Sequence, residues 1–198
     1  MNEAADAATN ISAILLFWLW WALLSVLETA MRMRNHDGTA QPGGQASDAG
    51  ADSERFAAVL RLDPGFSAGA FIDGARRAYE IVVQAYAAGD IATLKPLLSP
   101  EVLEAFSAAC AGRAERGETL ELTFVGIERV DVLNVVVTGD AMEVTFAFGA
   151  QMVRTLRAAD GTIVDGDPSA VVEVAESWTF ARAVPVRGRA WTVVATGE

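Results

Sequence analysis

The sequence predicts an α+β domain, with helices packed on one face of a four- to five-stranded antiparallel sheet, behind an N-terminal transmembrane helix. Three observations carry that expectation. An uncharged apolar run lies close to the start of the chain. Apolar residues at helical spacing occupy the segment from residue 54 to about residue 117. From Leu120 onward the pattern switches to alternation of period two. Helices that precede the strands, instead of alternating with them, belong on one side of an antiparallel sheet.

The apolar run, ISAILLFWLWWALLSVL at positions 11–27, has two polar residues, Ser12 and Ser25, and no charge. As a helix it rises roughly 25 Å, the short end of what a hydrocarbon core requires. Trp18, Trp20 and Trp21 leave no polar stripe, which a soluble amphipathic helix would show. A cleaved signal peptide needs a basic start and a small-x-small site. Here Glu3 and Asp6 precede the run, and cleavage after Ala30 would put Glu28 at the minus-three position. The expectation is an uncleaved single-pass anchor at 11–31, behind a polar head at 1–10. Arg32 and Arg34 follow the span, so the positive-inside bias puts the C-terminal side in the cytoplasm. A periplasmic domain is the competing topology. Residues 32–53 are the expected flexible linker, and positions 35–53 are mainly Gly, Ala, Asp and Gln around one Pro, with no large apolar side chain.

The formal net charge of −11 and pI near 4.5 argue against nucleic acid as a partner, since that needs a basic face. One cysteine, Cys110, allows neither a disulfide framework nor a multi-cysteine metal site. No cofactor is expected.

Residues 54–198 form the predicted domain, about 145 residues and the size of one ordinary domain. Phe56, Val59, Leu60 and Leu62 mark a short helix stopped by Asp63-Pro64-Gly65. A longer one follows, capped by Ser67, with Phe71, Ile72, Ala75, Ala78, Tyr79, Val82, Val83 and Tyr86 on one face and Gly89 at its end. Asp90 caps a short piece, IATLKPLL, and Ser99-Pro100 opens a further helix carrying Val102, Leu103, Phe106 and Cys110 to near Gly117. In the second half, Leu120, Leu122 and Phe124 alternate with polar residues until Gly126 breaks the phase, as at a bulge. Residues 132–137 lead through the Gly139-Asp140 turn to a strand with Val144, Phe146 and Phe148 on one face. Asp160-Gly161 and Asp165-Gly166-Asp167-Pro168 read as turns. Val172, Val174, Trp178 and Phe180 line a long strand, and Trp191, Val193 and Ala195 mark the last.

These residues resemble the C-terminal domain of the TIM44-like family over roughly residues 55–197. The resemblance lies in Phe71 with Gly74-Ala75-Arg76, in the run from Ala85 to Val102, in Gly161, Gly166-Asp167-Pro168 and Trp178 to Arg182, and in Trp191. Pro185-Val186-Arg187-Gly188-Arg189 departs from the family's usual ending. The family's mitochondrial member is an inner-membrane import adaptor, and its bacterial TimA-type relatives carry an N-terminal anchor. The resemblance implies a roll similar to nuclear transport factor two, with an apolar pocket. It further implies a non-enzymatic adaptor at a bacterial inner membrane, its C-terminal domain cytoplasmic, binding a chaperone or a translocation or membrane-protein substrate.

Four sets of residues are candidates for function. Phe124, Phe146, Phe148, Trp178 and Phe180 share a sheet face, either as a pocket for an acyl chain or partner side chain or as ordinary core. Arg55, Phe56, Val59, Leu60 and Arg61 form a candidate lipid-contacting helix surface, with a plain solvated helix as the alternative. Glu176 falls in phase with Trp178 and Phe180. It is a candidate buried carboxylate, paired with an arginine such as Arg76, Arg77 or Arg182, or serving as a base beside Tyr79 or Tyr86. Cys110 reads as a small buried hydrophobe. His36 falls in the linker, so the domain lacks the commonest general acid–base residue. The alternative to an adaptor is a small-ligand-binding protein or enzyme using a roll-shaped cavity.

Overall fold

In a computed structural model, the structure describes residues 54–185 and 190–197. The expected polar head, anchor and linker (1–53) lie outside the described residues. Among those described, no helix is long and apolar enough to cross a membrane.

Among the described residues, four helices come first. Helix α1 (Ala57–Leu62) is a short turn that buries Val59, with Phe56 buried at its start. Helix α2 (Ala68–Ala88) begins where the Ser67 hydroxyl accepts the Ala70 N–H at 3.3 Å. It ends at Gly89, whose φ of 69° is the left-handed turn that glycine enters without a steric cost. Its buried residues Phe71, Ala75, Tyr79, Val82 and Ala85 recur every three or four positions, one stripe facing the sheet. Helix α3 (Ile91–Leu94) is capped by Asp90, which accepts the Thr93 N–H at 3.1 Å and its hydroxyl at 2.7 Å. Helix α4 (Pro100–Glu115) is capped by Ser99, with Pro100 in the first turn, where a missing N–H costs nothing.

Five antiparallel strands follow: β1 (Thr119–Thr138), β2 (Ala141–Arg157), β3 (Ile163–Gly166), β4 (Val172–Ala183) and β5 (Thr192–Gly197). Their order is β1-β2-β4-β5, with β3 pairing to the end of β2. Gly126 does break the pattern, yet residues 119–138 stay one strand. Three register shifts against β2 absorb the extra residues Val125, Glu128 and Leu133. Asp165 and Gly166 are corrected from turn to strand. Gly166 pairs with Thr155 at a φ of 84°, so close that a Cβ would strike the Arg154 carbonyl. The turn comes one residue later, where Asp167 accepts the Ser169 N–H at 2.8 Å.

Along β2, Met142, Val144, Phe146, Phe148, Ala150 and Met152 are all buried, while the residues between them are less so. This inner face meets α2 and α1 to form the core. The opposite face carries small residues such as Thr145 and Thr179, whose hydroxyls meet at 2.9 Å. Asp63, just after α1, is held to β4 by Arg182 at 2.9 Å.

The two outer strands are covered differently. On β5, Val193 donates to the Leu97 carbonyl and Ser99 donates to the Val193 carbonyl, both at 2.8 Å, so the α3–α4 connection extends the sheet. On β1, Arg55 donates to the Val132 carbonyl at 2.8 Å.

Candidate functional site

The aromatic face expected to line a pocket is filled. Phe146, Phe148, Trp178 and Phe180 are buried. The Phe71 ring lies 5.4 Å from that of Phe146, 6.1 Å from Phe180 and 4.4 Å from Trp191. Tyr79 stacks on Phe148 at 4.7 Å, with Trp178 equally near. Rings of α2 interleave with rings of the sheet because both stripes carry large side chains at matching intervals. Of the two readings of this face, pocket or ordinary core, these four residues take the second. Phe124, toward the β1 edge, is only half-buried.

Glu176 does sit on the inner face, opposite Phe148. It is half-buried, and it accepts the Trp178 indole N–H at 3.0 Å. The Tyr79 hydroxyl is buried beside it and has no well-formed hydrogen bond. Burial, and then the Glu176 charge, push the Tyr79 phenol well above its ordinary value, so it stays protonated in the folded protein. Of the arginines expected near Glu176, Arg182 pairs with Asp63.

The candidate lipid surface is divided. Phe56 and Val59 are fully buried, so α1 cannot offer them to a bilayer. Arg55 reaches across to β1. Leu60 and Arg61 remain toward the outside. The reason is the companion stripe: Phe66 and Phe71 lie 5.2 and 6.1 Å from the Phe56 ring and draw the apolar side of α1 inward.

Cys110 was expected to be buried and is only half-buried; the buried residue of α4 is Arg113. Its guanidinium lies 4.4 Å over the Tyr86 ring and donates to the Tyr86 carbonyl at 2.5 Å, closing the C-terminal end of α2. Sequence spacing gave no sign of this, because the partner helix starts more than thirty positions upstream.

A concave feature lies elsewhere, between α2 and the first half of β1. Two adjoining hollows of about 420 and 350 Å³ share Phe124 as a wall. One is bounded by Gln84, Ala87 and Ala88 against Leu120, Leu122 and Thr123. The other is bounded by Arg76, Arg77 and Glu80 against Val125, Gly126 and Ile127. Val125, the first bulged residue, is half exposed at its rim. The alternation at 120–124 and the break at Gly126 were legible, but the meeting of this stretch with Arg76 and Arg77 required the register. Among the described residues, no group of three or more His, Cys, Asp or Glu is arranged to hold a metal ion.

Helices on one side of an antiparallel sheet, with a filled aromatic interface, define the class. Residues 53–198 match the Tim44-like domain, and the chain belongs to that family. The Mitochondrial import inner membrane translocase subunit TIM44-1 of Arabidopsis thaliana is 28% identical over 122 residues, 62% of this chain. The chain spans only 26% of that relative's length. Among solved structures, the intermembrane space region of the chloroplast protein ARC6 is similar at 14% identity. It has a TM-score of 0.40 over 63% of this chain and 93% of its own. A SEC-C motif containing protein from Rhodopseudomonas palustris is 16% identical, with a TM-score of 0.30 over 58% of this chain and 70% of its own.

Proposed function

We propose that the protein is a membrane-anchored, TimA-type bacterial adaptor. Its domain binds protein partners at the cytoplasmic face of the inner membrane, in protein translocation or membrane-protein biogenesis. The observation that carries this is the Tim44-like match over residues 53–198, whose Arabidopsis relative is named an import inner membrane translocase subunit. The uncharged run at 11–27, followed by Arg32 and Arg34, supplies the anchor and its orientation. The partner is a chaperone or a membrane-protein substrate. Lipid is a secondary ligand, met through the anchor more than through α1.

The filled aromatic face favours an adaptor over an enzyme, because a catalytic cavity would need room beside Glu176. In-cell crosslinking of the full chain, followed by identification of the attached proteins, tests the reading. A reproducible chaperone or membrane-protein partner supports it, and recovery of no protein partner overturns it. Carbonate washing tests the anchor: the chain should stay with the membranes, and its release would remove that part.

A further inference from the structure

Every sheet has two outer strands whose main-chain groups need partners or protection. Here β5 is extended by residues 97–99, and β1 is capped at Val132 by Arg55. From Leu122 to Ile127 the situation differs. On one side β1 pairs with β2, and on the other, among the described residues, no strand or side chain bonds to its main chain. This uncovered stretch forms one wall of the α2–β1 hollows. On the facing wall stand Arg76 and Arg77, neither with an ion-pair or hydrogen-bond partner among the described residues. Two unpaired neighbouring arginines are a local exception in a chain of net charge −11.

We propose that this groove takes an extended acidic segment of a protein partner, added as a further strand to the first half of β1. The proposal rests on the protein-adaptor reading and names its docking surface. The main chain of residues 122–127 supplies hydrogen bonds to any extended segment. Leu122, Phe124 and the exposed Val125 receive alternate apolar side chains, because successive residues of a strand point to opposite sides. Arg76 and Arg77 select carboxylates at the end near Gly126. Glu80 lies one turn further along the same helix, hydrogen-bonded to Gln84 at 3.2 Å, and repels acid from the rest of the groove. The segment is therefore apolar toward Leu120 and acidic toward Gly126. Spanning residues 120–127 takes about seven residues at a strand's rise.

The test uses the full chain in phosphatidylcholine nanodiscs and a fluorescein-labelled nonapeptide alternating valine and threonine, with two aspartates at one end. Anisotropy should report saturable binding that weakens with salt. The Arg76→Glu/Arg77→Glu double variant should weaken it roughly tenfold or more, its far-ultraviolet circular dichroism unchanged. A peptide with alternate amides N-methylated should lose binding against the unaltered protein, which requires no folded variant. A peptide with two lysines in place of the aspartates should not bind. Absent binding of the acidic peptide, equal binding of the lysine peptide, or indifference to N-methylation would overturn the proposal. So would displacement by phosphatidylglycerol vesicles as effective as by unlabelled peptide, or peptide-independent dimerisation through β1. If the double variant retains its crosslinked partners in cells, the groove is refuted while the adaptor reading stands.

Discussion

The two halves of β1 belong to one strand and pair with the same neighbour, yet they are finished differently. The second half, around Val132, is closed: Arg55 caps its carbonyl, and α1 behind Arg55 is pinned by Phe56 in the core and by Asp63 to Arg182. The first half, around Phe124, faces a groove whose helix wall carries two arginines without an ion-pair partner among the described residues. A strand edge is thus protected by a neighbouring segment only where that segment has an apolar anchor of its own. Elsewhere its exposure is a surface that a partner can use.

The largest disturbance of this contrast comes from removing the anchor. Phe56 is fully buried against Phe66 and Phe71, so Phe56→Ala should destabilise the domain by about 3–5 kcal/mol. Denaturant unfolding measures the loss. Hydrogen exchange should show amides near Val132 losing more protection than those near Phe124. Equal loss in both halves would mean that α1 does not guard the edge selectively.

Next comes the tie between α1 and β4. Arg182→Met leaves Asp63 without its guanidinium partner and should cost about 1.5–3 kcal/mol, in the range for hydrogen bonds to charged groups. Asp63→Asn keeps a polar partner and should cost less, which the same unfolding curves would show. Arg55→Ala is milder still, about 1 kcal/mol for one partly buried bond. Its informative readout is self-association: uncapping Val132 should make the second half of β1 stickier by analytical ultracentrifugation, and an unchanged monomer would mean that the cap is not protective.

Much of this architecture was legible because it depends on local chemistry. Ser67, Asp90 and Ser99 all cap helices, and Gly89 ends α2 in the left-handed conformation. The aromatic alternation in β2 and β4 correctly gave one buried face. What was not legible depended on which segments meet. Phe56 and Val59 look like one side of a surface helix until Phe66 and Phe71 arrive beside them. Arg113 looks like a solvated end of α4 until Tyr86 is brought under it. β3 was hidden because Asp165-Gly166 carries a turn signal, while pairing with Thr155 decided its conformation. The groove combines a bulge at Val125 with two arginines almost fifty positions upstream, and only the pairing of β1 beneath α2 brings them together.

The smallest effect lies under the open half, where Tyr79 packs on Phe148 and reaches toward Phe124. Its hydroxyl is buried with no well-formed partner, so Tyr79→Phe removes a desolvated group at almost constant shape. Near neutral pH the change should be within about 1 kcal/mol, of either sign. High pH separates the wild type from the variant. The chain has two tyrosines, and both are raised in the fold: Tyr79 by burial and then Glu176, and Tyr86 by burial against the opposing pull of Arg113. In the unfolded chain each gives up its proton near pH 10. Below that pH both states hold the protons and the stabilisation is complete. Above it the unfolded chain loses protons that the folded one keeps, so stability falls as pH rises. Stability should therefore decline between about pH 10 and 11, and Tyr79→Phe should remove the larger part of that slope, since Arg113 opposes the rise at Tyr86. Parallel pH profiles for the two proteins would mean that the phenol titrates freely, and that the wall of the groove beneath Arg76 and Arg77 is more open than its packing requires.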